Sequence, residues 1–278
     1  MPNGKTDRVP TPYDLVTFVT DYGPTGGFVG MLHAVVDSIA GPSIRILDLD
    51  HSIPPQDVVL GALRLARSMD HCRPGIHVAV IDPGVGGPRR ALGLEAGGRL
   101  LIGPDNGLLL SAAGALGGIE RVVSLERHLP ERRSRTFDGR DVFAPAAGHL
   151  AAGLDLSELG PALEPDQLVP LELPEPSARA DGSFELTVLQ VDGFGNVQFA
   201  FEHPPLAQLG GRVDLVRLDE KGSLAAVAVG RTFSDVAPGE ALVLEDSDAC
   251  LALSVNRGRA DELLGLVPGD RVLLRPLL

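Results

Sequence analysis

No uninterrupted apolar stretch in the sequence approaches the ~18–20 residues needed to cross a bilayer, so a membrane-embedded chain is not expected. Cysteine is scarce. Cys72 and Cys250 stand alone, too few for a disulfide framework and without metal-ligand spacing, which predicts two buried free thiols and a cytoplasmic setting. Only Lys5 and Lys221 are lysines, the remaining basic residues being arginines, and this by itself decides nothing about function. No HExxH, no CxxC and no GxxxxGK[ST] occurs, so neither a metalloprotease helix nor a phosphate loop is available. Positive charge is also in deficit: a net charge of −13 argues against a nucleic-acid partner, whose affinity rests on clustered Lys and Arg facing phosphates. A cationic small substrate would be attracted instead.

What is present fits a two-domain chain. At 278 residues the protein exceeds the roughly 100–200 residues usual for one domain, and 44% hydrophobic content is enough for full cores. Residues 1–13 are polar and punctuated by proline, with no apolar run after a basic start, and read as a loose tail rather than a secretory signal. Over residues 14–165, short β-branched strands alternate with segments of helical period. This predicts an α/β domain with a mostly parallel sheet covered on both faces. Its strand ends present Asp21, Asp82 and Asp105, with Asp48, Asp50 and His51 closing the second strand. Functional loops of such sheets lie at these ends. Proline recurs and apolar periodicity lapses over 166–183, the expected linker. Seven short alternating strands then fill 184–278 and predict a smaller, antiparallel, barrel-like β domain.

Taken one by one, the motifs allow bland readings. The glycines of GPTGGFVG suit a turn as well as close approach to a ligand, and their spacing is not that of a dinucleotide fingerprint. The strand-end carboxylates and His51 could converge as hard oxygen ligands, but a carboxylate capping the following helix is the commoner role, and no metal is expected. Asp192, Asn196 and Asn106 sit in Gly-rich turns that favour Asp and Asn for geometry alone, and Phe137 and Phe194 would by default be core residues. The arginine-rich stretch at 131–135 reads as a solvated loop or, alternatively, a mobile lid.

Taken together, seven blocks carry a resemblance: FVTDYG at 18–23, LDLDHSIPPQD at 47–57, VIDPGVGGPRR at 80–90, GPDNGLL at 103–109, TFDGRDVFAPAAGHLA at 136–151, VDGFGN at 191–196 and SVNRGRA at 254–260. In this order they resemble the signature blocks of the S-adenosylmethionine hydroxide adenosyltransferases, a family similar in fold to the enzymes that attack the same molecule with fluoride or chloride. The resemblance implies hydrolysis of S-adenosylmethionine to adenosine and methionine without metal or redox cofactor. It also implies a homotrimer whose sites lie between one subunit's N-terminal domain and a neighbour's C-terminal domain.

The family's Asp-Arg-His set falls on Asp82, Arg89 and position 138, where this chain has TFDGRD and therefore Asp138 in place of histidine. Arginine is no base at neutral pH but can hold a hydroxide electrostatically, with Asp82 fixing the guanidinium. Asp138 would then serve as a carboxylate base. The alternatives are a weak or silent adenosine-binding homologue, or one that accepts a halide. The same resemblance places Asp21 on the ribose hydroxyls, Thr136 and Phe137 around the reacting centre, and Asn106 nearby. Asp192 would meet the methionine ammonium, Asn196 polar atoms of the substrate, and Phe194 the adenine face, while Asn256, Arg259 and Ala260 would read the adenine edge. Gly26, Gly87 and Arg259 depart from residues common in the family, and His128 is not expected to replace the missing imidazole.

Overall fold

A computed structural model describes residues 13–218 and 223–277. They divide into two compact units, up to Glu172 and from Leu173 onward. The tail expected over 1–13 lies outside the described residues except for Tyr13, which is half-buried against the first core.

In the first unit, LVTFVT forms strand β1 (Leu15–Thr20), wholly buried because it runs between β2 (Arg45–Asp50) and β3 (Ile76–Val80), parallel to both. The remaining strands are β4 (Ala91–Ala96), β5 (Arg99–Pro104) and β6 (Arg121–Ser124), giving the order β2-β1-β3-β5-β4-β6. Helices α1 (Phe28–Ala40) and α4 (Ala144–Ala151) share one core with Val16, Phe18 and Val78. Helices α2 (Val58–Met69) and α3 (Leu110–Ala115) share another with Val19, Ala79 and Leu101. Alternation along each strand thus feeds two apolar layers, as the period-2 pattern of a doubly covered sheet requires. Asp57 starts α2 by accepting the Leu60 N–H at 2.9 Å, the ordinary device of an N-cap.

The expectation of a mostly parallel sheet is corrected. β5 pairs antiparallel with β4, and β4 antiparallel with β6, so only the β2-β1-β3-β5 part is parallel. The cause is a two-residue hairpin: Gly97 and Gly98 both have positive φ (53° and 68°), which lets β4 turn directly into β5.

In the second unit, β7 (Ser177–Ala178), β8 (Phe184–Val191), β9 (Val197–Glu202), β10 (Arg212–Arg217), β11 (Ser223–Val229), β12 (Ala241–Glu245), β13 (Cys250–Val255) and β14 (Arg271–Pro276) form one sheet. Because β14 pairs with both β10 and β8, strands β8–β14 close into a seven-stranded barrel filled by Leu186, Phe199, Leu215, Val243, Leu253 and Leu274. Its β11–β12 pairing is parallel, so the barrel is not purely antiparallel. A short helix, α5 (Ala260–Leu264), follows β13. The 166–183 segment is more ordered than a linker: Leu168 is buried in a core, the Val169 N–H donates to Asp105, and β7 pairs with β8. Cys72 and Cys250 are both buried and neither forms a disulfide.

Candidate active site

In the first unit the site grows from two chain segments that the fold brings together. One is the turn after β3, where a glycine-rich run lets the chain double back from Asp82 to Arg89. The Cβ of any residue replacing Gly86 (φ 77°) would lie 2.4 Å from the Arg135 carbonyl oxygen, so this turn packs backbone to backbone against the 131–135 loop. The other segment is a π-helical turn (Gly139–Phe143) that leads into α4 and is preceded by Asp138. π-Turns of this kind commonly occur at functional sites.

Between them stands Arg89. Its Nε donates to Asp82 at 2.9 Å, its Nη2 donates to Asp82 as well, and the same Nη2 donates to Asp138 Oδ2 at 2.6 Å. The guanidinium lies 5.4 Å above the Phe143 ring, a cation–π contact that fixes its plane. All three side chains are withdrawn from water, at 6% exposure for Asp82, 11% for Arg89 and 1% for Asp138. Burial alone would lower the guanidinium pKa, but the hydrogen bonds and charges of Asp82 and Asp138 raise it, so Arg89 remains a cation. One atom is left over: Asp138 Oδ1 is buried with no hydrogen-bond partner. An orphaned carboxylate oxygen carries a desolvation penalty of about 1–3 kcal/mol or more, which a ligand's proton would relieve.

The turn after β1 supplies the opposite wall. Asp21 Oδ2 accepts the Gln56 N–H at 2.8 Å, for which Gln56 adopts a left-handed φ of 68°. The Thr20 hydroxyl bonds His51 Nδ1 at 2.8 Å, and Gly23 N–H donates to the His51 carbonyl at 2.9 Å, so the loop after β2 pins this turn. Tyr22, Phe28 and Phe137 form an aromatic cluster with ring separations of 5.2–5.8 Å. Burial, with Asp21, Asp82 and Asp138 nearby, pushes the Tyr22 phenol well above its ordinary value, so it stays protonated. Gly139 is required here: a Cβ would lie 2.3 Å from the Tyr22 hydroxyl. Gly26 and Gly27 both have positive φ, so their glycines serve the turn into α1.

Not every strand-end residue joins. Asp105 is held by Arg90 and by the Val169 N–H, and Asn106 donates to the Ile81 carbonyl at 2.9 Å while accepting from Leu108, both roles internal to the fold. Asp48 Oδ1 meets His33 and His51 at 2.8 and 3.0 Å, and Asp50 takes Ser52 N–H. His128 stacks beside His149, 6.0 Å between ring centres. Among the described residues, no cluster of three or more His, Cys, Asp or Glu could hold a metal ion. Thr136 is exposed and shares a hydrogen bond with Ser134, 3.0 Å between hydroxyls.

Sequence reasoning missed Arg132. Its Nη2 reaches Asp138 Oδ2 at 3.3 Å from a loop that composition alone marks as solvated. The available signal was Asp141, three residues beyond Asp138. This buried carboxylate accepts the N–H groups of Arg133 and Ser134 and is clamped by Arg140, whose hydrogen bond holds its pKa below the usual range.

In the second unit the candidate residues gather on the β8–β9 turn and the start of α5. Asp192 accepts the N–H groups of Phe194 and Asn196 and the Asn196 side-chain amide, at 2.8–2.9 Å. The turn so tightened leaves Phe194 80% exposed, the opposite of a core residue. Gly195 accepts from the Ala260 and Asp261 N–H groups, and Arg259 donates to the Gly193 carbonyl and to Asp261. The Arg259 guanidinium is thereby raised above its ordinary pKa, chiefly by Asp261. Asn256 donates its amide to the Val236 carbonyl at 2.7 Å.

Comparison with known proteins agrees with both units. Residues 16–160 match the model of the SAM hydroxide adenosyltransferase N-terminal domain, and residues 186–273 that of the SAM hydroxide adenosyltransferase C-terminal domain. An "(R)-S-adenosyl-L-methionine hydrolase" of Salinispora tropica is 48% identical, covering 95% of this chain and 97% of its own. A "Fluorinase" of Actinoplanes is more distant at 28% identity, over 87% and 91%. Among solved structures, an uncharacterized conserved protein from Thermotoga maritima superposes with a TM-score of 0.83 at 30% identity, covering 94% of this chain and 99% of that one.

Proposed function

Given that the chain belongs to the SAM hydroxide adenosyltransferase family, we propose that it hydrolyses S-adenosyl-L-methionine to adenosine and L-methionine, with Asp138 as the base. The observation that carries the role of Asp138 is its bare Oδ1, buried beside the Asp82–Arg89 pair. A water molecule seated against that oxygen attacks C5′ of the ribose. The O–C5′ bond forms as the C5′–S bond breaks, the electron pair returns to sulfur, and methionine leaves as a neutral thioether. The water's proton passes to Asp138. Arg89 donates to the developing hydroxide and is held in plane by Asp82 and Phe143. The sulfonium already activates the carbon, so the step needs no metal or redox cofactor. Merging an incipient anion with a cation is favoured in a dry pocket, where water does not screen the attraction. A halide nucleophile would instead meet the repulsion of the Asp138 oxygen.

Recognition divides between the units. Asp21 has lone pairs to spare after Gln56 and accepts from the ribose hydroxyls. Phe137 and Thr136 flank the reacting carbon. The exposed Phe194 stacks on adenine, Asp192 meets the methionine ammonium, Asn196 meets polar atoms of the substrate, and Asn256 with the backbone near Arg259 and Ala260 reads the adenine edge. We further propose a homotrimer in which these sets come from neighbouring copies, and a cytoplasmic location.

The test is to incubate the purified protein with S-adenosylmethionine and follow adenosine by chromatography. Asp138→Asn keeps the shape but not the basicity and should lower kcat by roughly 10²–10⁴-fold, the usual worth of a general base, with binding by calorimetry little changed. Undiminished turnover in that variant would remove Asp138 from the role, and absence of adenosine from the unaltered protein would overturn the hydrolase reading.

A further inference from the structure

The catalytic cluster, taken as Asp82, Arg89 and Asp138, has two carboxylates and one guanidinium, and so a surplus negative charge in a place almost closed to water. A single guanidinium cannot pair fully with both carboxylates, so a second cation beside Asp138 would find an acceptor there. The charged groups beside Asp138 are Asp82 and Arg89 from the turn after β3 and Arg132 from the 131–135 loop, while Asp21 at the end of β1 shares with it the protonated Tyr22 as a neighbour.

We infer that Arg132 is a positioning residue for the hydrolysis: by ion-pairing with Asp138 Oδ2 it offsets one carboxylate charge and leaves Oδ1 turned towards the water. This rests on the assignment of Asp138 as the base. Two independent observations support it. The first is the asymmetry of the carboxylate, whose Oδ2 takes both Arg89 Nη2 at 2.6 Å and Arg132 Nη2 at 3.3 Å while Oδ1 takes nothing. Both cations on one oxygen set the rotation of the group and leave the other oxygen free. The second is that the loop is anchored. Asp141 accepts from Arg133 and Ser134 at 3.0 and 2.9 Å, and the Arg135 carbonyl lies against Gly86 in the turn that carries Arg89. Arg132 is therefore delivered by a fixed backbone, although its side chain is 48% exposed.

The sign of the consequence is definite. A cation beside a carboxylate favours its base form, so in a variant lacking that cation the base form of Asp138 would be reached only at a higher pH. Arg132→Gln should move the acid limb of the kcat–pH profile upward by about one unit, with roughly tenfold less turnover below the limb and near-normal turnover above it. Arg132→Lys keeps the charge without the planar fork and should restore most of the shift. KM should change little in either variant. An acid limb unmoved in Arg132→Gln, or turnover lowered equally at every pH, would overturn the inference, the latter being what a purely structural residue produces. The underlying assignment fails separately, through full activity in Asp138→Asn.

Discussion

Asp138 shows how much one side chain's two ends can differ: one oxygen doubly held, the other bare, within a group 1% exposed. The role proposed for it rests in the sequence only on a departure, an aspartate where the resembling family has histidine. That Arg89 stands beside it came only from the resemblance, because the two are 49 residues apart and no local pattern links them. A second buried group makes a different prediction. His77 is fully buried in β3 with Nδ1 bonded to the Thr17 hydroxyl at 2.9 Å and Nε2 unpartnered. Burial, then the charge of Arg99, pushes its pKa down to about 4 from the ordinary 6.5. The unfolded chain thus binds a proton that the folded one refuses. The associated stability is present in full above the unfolded value and is lost as pH falls from there towards about 4, on the order of 3 kcal/mol in all. Urea unfolding followed over that range should show the loss, and His77→Gln should flatten it. An unchanged slope in the variant would assign the effect to other groups.

Elements, rather than residues, account for what the sequence hid about the fold. The parallel strands declared themselves by β-branched runs ending in acidic loops, whereas β4 went unread because ALGLEA is short and weakly β-prone. Yet Gly97-Gly98 between two apolar runs is a recognised hairpin signal, and it would have revealed the antiparallel half of the sheet. The 131–135 loop failed for another reason: charge-rich composition describes solvation, and the ordering force, Asp141, lies outside the segment in the π-turn. That dependence is testable. Asp141→Asn retains the side chain's size but weakens its grip on two backbone N–H groups and on Arg140, so the loop should loosen. Limited trypsin digestion should then cut at Arg132, Arg133 and Arg135 several-fold faster, with kcat falling in parallel. Cleavage no faster than in the unaltered protein would show that the loop is held by something else.

For the whole molecule, both units were foreseeable from the change of hydrophobic period near the 166–183 segment, and the seven barrel strands from their turn residues. The assembly proposed here has an arithmetic consequence. If each site joins the first unit of one copy to the second unit of its neighbour in a trimer, variants damaged in different units should rescue each other. Asp138→Asn and Phe194→Asp, each nearly inactive alone, should recover about a quarter of full activity when unfolded together and reassembled at random. No recovery, with trimers confirmed by sedimentation, would place each complete site within a single copy.

The two carboxylates on Arg89 also bear on the order in which the enzyme matures. Asp82 belongs to the turn that leads from β3 to β4, whereas Asp138 comes with the helical segment that leads into α4. A chain whose strands have paired while that segment still swings free would hold Arg89 on Asp82 alone, without the second carboxylate. If Asp138 is the base, such a chain would not yet turn over substrate, and hydrolysis would report that the π-turn and α4 have packed onto the sheet.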